Sequence, residues 1–274
     1  YIATQLCDKY LEKFLIEGCI HVKLKNEHFP QIYDVFAVEL MKEDVVDIVL
    51  CIRMKKYEKV EYKNLTQKDM LYLTRDVLIC LKEAHSHGFI HRDISNNNVM
   101  CNEKKSYILI DWGNCRDINL GKSTTPVASL WFAAPEYLMK EKGAARDPRI
   151  DIYSVGALMY YWVLGKREGH SPDVKSDKLK NVSKSYAKIM RKALNKDPGK
   201  RYQKAETMLQ DVENALSELE NKSENSENEI ENPQQERKIS KWVLGGIAAI
   251  IVLFFLTGGL QDLNFKNEWT GFSH

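Results

Sequence analysis

Between Gly18 and Gly88 the chain has no glycine. A loop whose backbone amides wrap closely round nucleotide phosphates is built on several glycines, so no Gly-rich phosphate loop exists in this sequence. Cysteine pairing at metal or redox spacing is missing too. Cys7, Cys19, Cys51, Cys80, Cys101 and Cys115 form no C-x-x-C, which argues against a zinc site or disulfide framework and for buried thiols in a reducing compartment. Neither sign of charge is in excess: 40 Lys and Arg against 38 Asp and Glu leave a formal net charge of +2. Acids and bases are interspersed, so no nucleic acid partner is expected. No signal-peptide pattern follows Tyr1, and without an initiator Met the chain reads as a piece of a longer protein. The 274 residues show no internal repeat, and their 44% hydrophobic and 28% charged content is ordinary for a folded protein.

Apolar residues at three- and four-residue steps (Ile2, Leu6, Tyr10, Phe14, Leu15) predict an amphipathic helix over residues 2 to 20. Ile32 to Leu40 and Val45 to Ile52 read as strands about the polar turn Lys42-Glu43-Asp44. Helical spacing returns from Gln67 to His87, with Thr66 as N-cap and Gly88 as terminator. Short strands are expected at Val99 to Cys101 and Tyr107 to Ile110, and helices near 151 to 164, 183 to 195 and 204 to 220.

Residues 219 to 241 are rich in Glu, Asn, Ser and Lys and read as a solvated linker. Val243 to Leu260 then carries no charge, which predicts a transmembrane helix over 242 to 260, since a bilayer core takes about 17 to 25 apolar residues. Arg237, Lys238 and Lys241 precede it and only Lys266 follows. The positive-inside rule therefore predicts a single-pass membrane protein with a cytoplasmic N-terminal domain and a short far-side tail, 261 to 274.

The chemistry-bearing run is His91-Arg92-Asp93-Ile94-Ser95-Asn96-Asn97-Asn98, between a helix and a strand. Phosphoryl transfer to a hydroxyl needs a proton acceptor and oxygen ligands for Mg²⁺. Asp93 suits the first task and Asn98 the second. Asp111, where the apolar strand ends at Asp111-Trp112-Gly113, suits a second metal ligand. With Ala134-Pro135-Glu136, Asp151-Ile152-Tyr153-Ser154-Val155-Gly156 and Asp197-Pro198-Gly199-Lys200-Arg201 in order, the chain resembles the eukaryotic-type protein kinases over residues 1 to 218.

That resemblance implies an α+β, bilobal kinase-like fold, mostly the helical large lobe with a truncated small lobe. It implies ATP and Mg²⁺ as cofactors and a protein substrate. By the same resemblance Asp93 is the catalytic base, Asn98 and Asp111 hold Mg²⁺, and His91 and Arg92 belong to the catalytic loop, Arg92 reading a phosphate on the segment from Asp111 to Glu136. Glu136 would pair with Arg201, and Asp151 would hold the catalytic-loop backbone. Glu17, or alternatively Glu12, would be the helix glutamate whose lysine partner is missing along with the phosphate-covering strands. Ser123, Thr124, Thr125 and Ser129 are candidate phosphorylation sites. Two spellings depart from the family: Ser95 stands where a lysine is usual, and Trp112 where a phenylalanine is usual. The favoured reading is a membrane-anchored serine/threonine kinase. A pseudokinase binding module and a small-molecule phosphotransferase of the aminoglycoside or choline kinase type are the alternatives.

Overall fold

The computed structural model describes residues 16–18, 20, 23–24, 26–42, 45–117, 129–165, 171–172, 174 and 177–230. The chain divides into two compact units, Tyr1–Leu219 and Glu220–His274. The second is described only to Ile230.

The first unit starts with Ile16, Glu17, Gly18 and Ile20 in helical conformation; most of the predicted helix over 2 to 20 lies outside the described residues. Strands β1 (Ile32–Lys42) and β2 (Val45–Met54) then form an antiparallel hairpin in which Val38 faces Val49. A two-residue strand, β3 (Glu58–Lys59), leads to helix α1 (Gln67–Ser86). Thr66 and Asp69 close a capping box at its start: the Thr66 hydroxyl accepts the Asp69 N–H, and the Asp69 carboxylate accepts the Thr66 N–H at 2.9 Å. Gly88, at φ +79°, turns the chain out of the helix. Met70, Leu71, Leu73, Val77, Leu78, Leu81 and Ala84 are buried along one stripe of α1, and each such large side chain contributes about 1.5–3 kcal/mol on burial.

Past α1 come β4 (Phe89–Ile90), β5 (Val99–Cys101), β6 (Tyr107–Leu109) and β7 (Arg116–Asp117). β5 is the middle strand between β3 and β6, while β4 pairs with β7. Asp76, only 1% exposed, anchors the β5–β6 hairpin to α1 by accepting the Tyr107 N–H at 2.9 Å. His28 ties the N-terminal part to the same hairpin, its carbonyl accepting the Leu109 N–H at 3.1 Å and its Nδ1 lying 3.1 Å from the Tyr107 carbonyl. The remainder is helical: α2 (Pro135–Leu138), α3 (Arg149–Leu164), α4 (Lys184–Ala193) and α5 (Ala205–Ile230).

Gly156 marks where α3 meets α4. A Cβ there would stand 2.8 Å from Ala193 Cβ and 3.3 Å from the Leu194 backbone N. Gly156→Ala is expected to lower unfolding stability by about 1–3 kcal/mol, measurable by urea denaturation.

Two expectations are revised. Helix α5 runs through Ile230, into the segment read as solvated linker. Propagating a helix already nucleated by a packed face costs little, and glutamate is a good helix former. The single-pass membrane protein with a cytoplasmic domain is also corrected: among the described residues no helix is long and apolar enough to cross a membrane. The most apolar described helix, α3, has 16 residues and is largely buried in the core, shorter than a bilayer core requires. The segment 242 to 260 and the tail 261 to 274 lie outside the described residues. Neither the membrane anchor nor the location inferred from it is retained.

Candidate active site

Two antiparallel pairings build the site. In the β5–β6 hairpin Val99 faces Leu109, so Asn98 and Asp111 emerge from the same end, joined by an Ile110 N–H donated to the Asn98 carbonyl at 2.9 Å. In the β4–β7 pair Ile90 faces Arg116, which sets the loop starting at His91 beside the turn ending at Cys115.

Asp93 sits where these pairings converge. Its Oδ1 accepts the Ser129 backbone N–H at 2.9 Å, and its Oδ2 accepts the Asn114 amide at 3.2 Å. The Asn98 Nδ2 donates to the Asp93 carbonyl at 2.7 Å. With its N–H end committed, the Asn98 amide leaves Oδ1 as the atom that can ligate a cation. Asp111 is exposed and in the left-handed region at φ +62°, and Arg92 shares that conformation at φ +68°. Such backbone costs about 1–3 kcal/mol per residue, and it persists where surrounding bonds hold it.

Asp151 supplies those bonds for Arg92. Fully buried, its carboxylate accepts the backbone N–H of His91 at 2.9 Å and of Arg92 at 2.8 Å, and lies 2.9 Å from His85 Nε2. Burial pushes its pKa up, but the His85 hydrogen bond and charge, His91 and the Arg92 N–H outweigh burial and hold it below the ordinary value. The Arg92 side chain is 7% exposed and donates from Nε to the Asn114 carbonyl at 2.8 Å; Ser123, Thr124 and Thr125 lie outside the described residues.

His91 is buried against Trp112, ring centroids 4.5 Å apart. Its Nε2 lies 3.1 Å from the Ile110 carbonyl and its Nδ1 3.3 Å from the Asp93 N–H. Both contacts are satisfied together if the proton is on Nε2. The Trp112 indole N–H donates to the Leu109 carbonyl at 2.9 Å, a bond phenylalanine has no atom to make. Burial lowers the His91 pKa below 6.5, against opposing contributions from Asp151, Asp93, the Ile110 carbonyl and Asp111. In the unfolded chain this imidazole takes a proton that the folded protein resists, so its contribution is fully present above about pH 6.5 and is lost as pH falls below that. The melting temperature is therefore expected to drop from pH 7 to pH 5, and His91→Gln, neutral throughout, to show a shallower slope.

Glu17 lies near Asp111. Burial and then the Asp111 charge raise its pKa to about 7, as expected for a half-buried carboxyl with a like charge nearby. Ser95 is buried, 1% exposed, and its hydroxyl accepts the Asn97 N–H at 3.4 Å. It therefore presents no cation at the lysine position. Among the described residues no group of three or more His, Cys, Asp or Glu could hold a metal ion. Asn98 and Asp111 instead fit Mg²⁺, which binds through one or two carboxylates together with substrate phosphates. Away from this cluster, Glu136 and Arg201 form a buried two-point pair at 2.6 and 2.7 Å. Asn114 and His85 hold the site in place yet were not singled out from sequence, and Ser129, singled out only as a candidate phosphorylation site, contributes its backbone N–H. A polar residue directly after Gly113 was the available signal for Asn114; His85, whose partner Asp151 is 66 residues away, offered none.

Arg92 and Asp111 are both left-handed, the Asp93 carboxylate is held between Ser129 and Asn114, and Asn98 and Asp111 share one end of the β5–β6 hairpin. The model of the protein kinase domain matches residues 4–213. The chain belongs to that family. It is 27% identical over 222 residues to a probable serine/threonine-protein kinase of Clostridium acetobutylicum, covering 75% of this chain and 33% of that protein. It is 32% identical over 168 residues to the hormonally up-regulated neu tumor-associated kinase of Homo sapiens, covering 58% and 22%. With the serine/threonine-protein kinase PknB of Mycolicibacterium smegmatis it shares 30% identity over 154 residues, 50% of this chain and 24% of that one. The chain thus spans a third or less of the length of these relatives.

Proposed function

We propose that this chain carries the catalytic part of a serine/threonine protein kinase that moves the γ-phosphate of ATP to a protein hydroxyl. The observation that carries this reading is Asp93, held by Ser129 and Asn114 beside the Asn98/Asp111 end of the β5–β6 hairpin. In it Asp93 orients the acceptor hydroxyl and takes its proton. Asn98 Oδ1 and the Asp111 carboxylate would hold Mg²⁺, which when bound neutralises charge on the nucleotide phosphates. Glu17, whose pKa burial and then the Asp111 charge raise, adds a second carboxyl near that end of the site. Asp151 acts only on geometry, keeping the loop from His91 to Asp93 in its left-handed turn. Arg92 holds the Asn114 carbonyl, and so the residue that bonds Asp93. The preference for serine and threonine over tyrosine is supported by the two bacterial relatives, a probable serine/threonine-protein kinase and the serine/threonine-protein kinase PknB.

The A-P-E segment with its Glu136–Arg201 pair counts against an aminoglycoside or choline phosphotransferase. Ser95 favours a slower enzyme, since a charge on the transferred phosphate is left uncontacted. The test is transfer from γ-labelled ATP with Mg²⁺ to a protein mixture, to kanamycin and to choline, followed by phosphoamino acid separation. Label on serine and threonine is expected. Label on kanamycin or choline alone would assign the second class, and no label on any acceptor would leave a binding module.

A further inference from the structure

The near-neutral charge of the whole chain conceals a local imbalance. Lys184, Lys188, Lys192, Lys196, Lys200 and Lys204 recur every fourth residue, and Arg191 adds to them. All are exposed. From 184 to 204 the only acid is Asp197, 3.9 Å from Lys200 Nζ. Among the described residues no other member of the row has a carboxylate within ion-pair distance; the bordering acids are Glu206, whose pKa Lys82 and then Lys204 lower, and Glu218, which accepts the Ser185 hydroxyl.

The orientation of this row is set by packing. Tyr186, Ala187, Ile189, Met190 and Ala193 bury the opposite face of α4, and the Tyr186 hydroxyl donates to the Met159 carbonyl on α3 at 3.0 Å. Lys184, Lys188 and Lys192 therefore line one exposed edge, about 6 Å apart along the axis. Beyond the helix, Arg201 donates to the Asn195 carbonyl at 2.6 Å and the Lys196 carbonyl at 3.3 Å. Lys192 lies 3.9 Å over the Tyr202 ring. These contacts fold residues 195 to 202 back against the end of α4, so the row at helical pitch is Lys184, Lys188 and Lys192. Like charges at i,i+4 destabilise a helix, and nothing in the packing of α4 requires them.

We propose that this face docks an acidic segment of a partner protein. Its chemistry separates that partner from other polyanions. A single-stranded nucleic acid needs exposed aromatic faces to stack on, whereas Tyr186 and Tyr202 are 0% and 1% exposed. Insertion into a lipid surface needs apolar side chains beside the cations, whereas Ile189, Met190 and Leu194 are all buried, which leaves only surface attraction to anionic lipid. Lys184, Lys188 and Lys192 form a row of point charges at helical pitch, complementary to a helix bearing glutamate every fourth residue. None of these residues touches Asp93, Asn98 or Asp111, so docking here leaves the site open.

The test is fluorescence anisotropy with the 274-residue chain and a labelled peptide of repeating Ala-Ala-Ala-Glu. Two comparison probes are phosphatidylcholine vesicles with 30% phosphatidylserine and a single-stranded oligonucleotide. The peptide is expected to bind at 50 mM salt, to weaken about ten-fold by 300 mM, and to be lost in Lys184→Glu/Lys188→Glu/Lys192→Glu. The milder Lys188→Gln/Lys192→Gln should weaken binding part-way with an unchanged melting temperature, which separates docking from misfolding. No peptide binding at 50 mM, full binding by both variants, or tighter binding of vesicle or oligonucleotide would each overturn the proposal.

Discussion

Asp93→Asn is expected to reduce phosphoryl transfer to protein by about 10²–10⁴-fold, the range for loss of a positioned general base, with the fold preserved. The carboxylate has two acceptor oxygens in use, one for the Ser129 N–H and one for the Asn114 amide. An amide in its place keeps one acceptor and turns the other atom into a donor. The amide of Asn114 can rotate to offer its own oxygen, so the geometry survives at modest cost while proton acceptance does not. Comparing transfer rates at saturating ATP and Mg²⁺, alongside melting curves, separates the two. Equal rates would remove Asp93 from the chemistry.

The largest effect on stability is expected from breaking the Glu136–Arg201 pair. Glu136 is 5% and Arg201 2% exposed. Arg201→Met leaves a carboxylate buried without its guanidinium, and removing one partner of such a pair typically costs about 3–5 kcal/mol. Arg201 also holds the Asn195 and Arg149 carbonyls at 2.6 and 3.2 Å, which adds to the loss. Glu136→Leu with Arg201→Met should recover much of it, because the desolvation cost of both charges disappears together. Urea unfolding of the two single variants and the double variant gives the coupling directly. A single variant within about 0.5 kcal/mol of the parent would mean the pair is replaceable by water.

Periodicity located α1 to within a residue because its start and stop are local chemistry: a Thr66–Asp69 capping box and a glycine at positive φ. β1 and β2 were legible for a similar reason, as branched runs about a polar turn. The order of His91, Asp93, Asn98 and Asp111 could be read directly, since they are close in sequence and flank short strands. β3 could not, because Glu58–Lys59 is two polar residues recruited by β5 rather than by any propensity of their own. His85 escaped for a different cause: its partner Asp151 is 66 residues away. Composition gave no sign that the polar stretch 219 to 230 continues a helix begun by packing upstream.

The clasp on Asp93 has a consequence in polymer terms. Asn114 and Ser129 both bond the same carboxylate, so Asp93 closes the chain into a ring through residues 115 to 128. Closing a ring costs entropy that rises slowly with its length, about 0.6 kcal/mol for each doubling. Changes in the composition or length of that stretch are therefore cheap, provided its two ends still reach the clasp. The Asp93 carboxylate is thus also a point at which the length of residues 115 to 128 is felt.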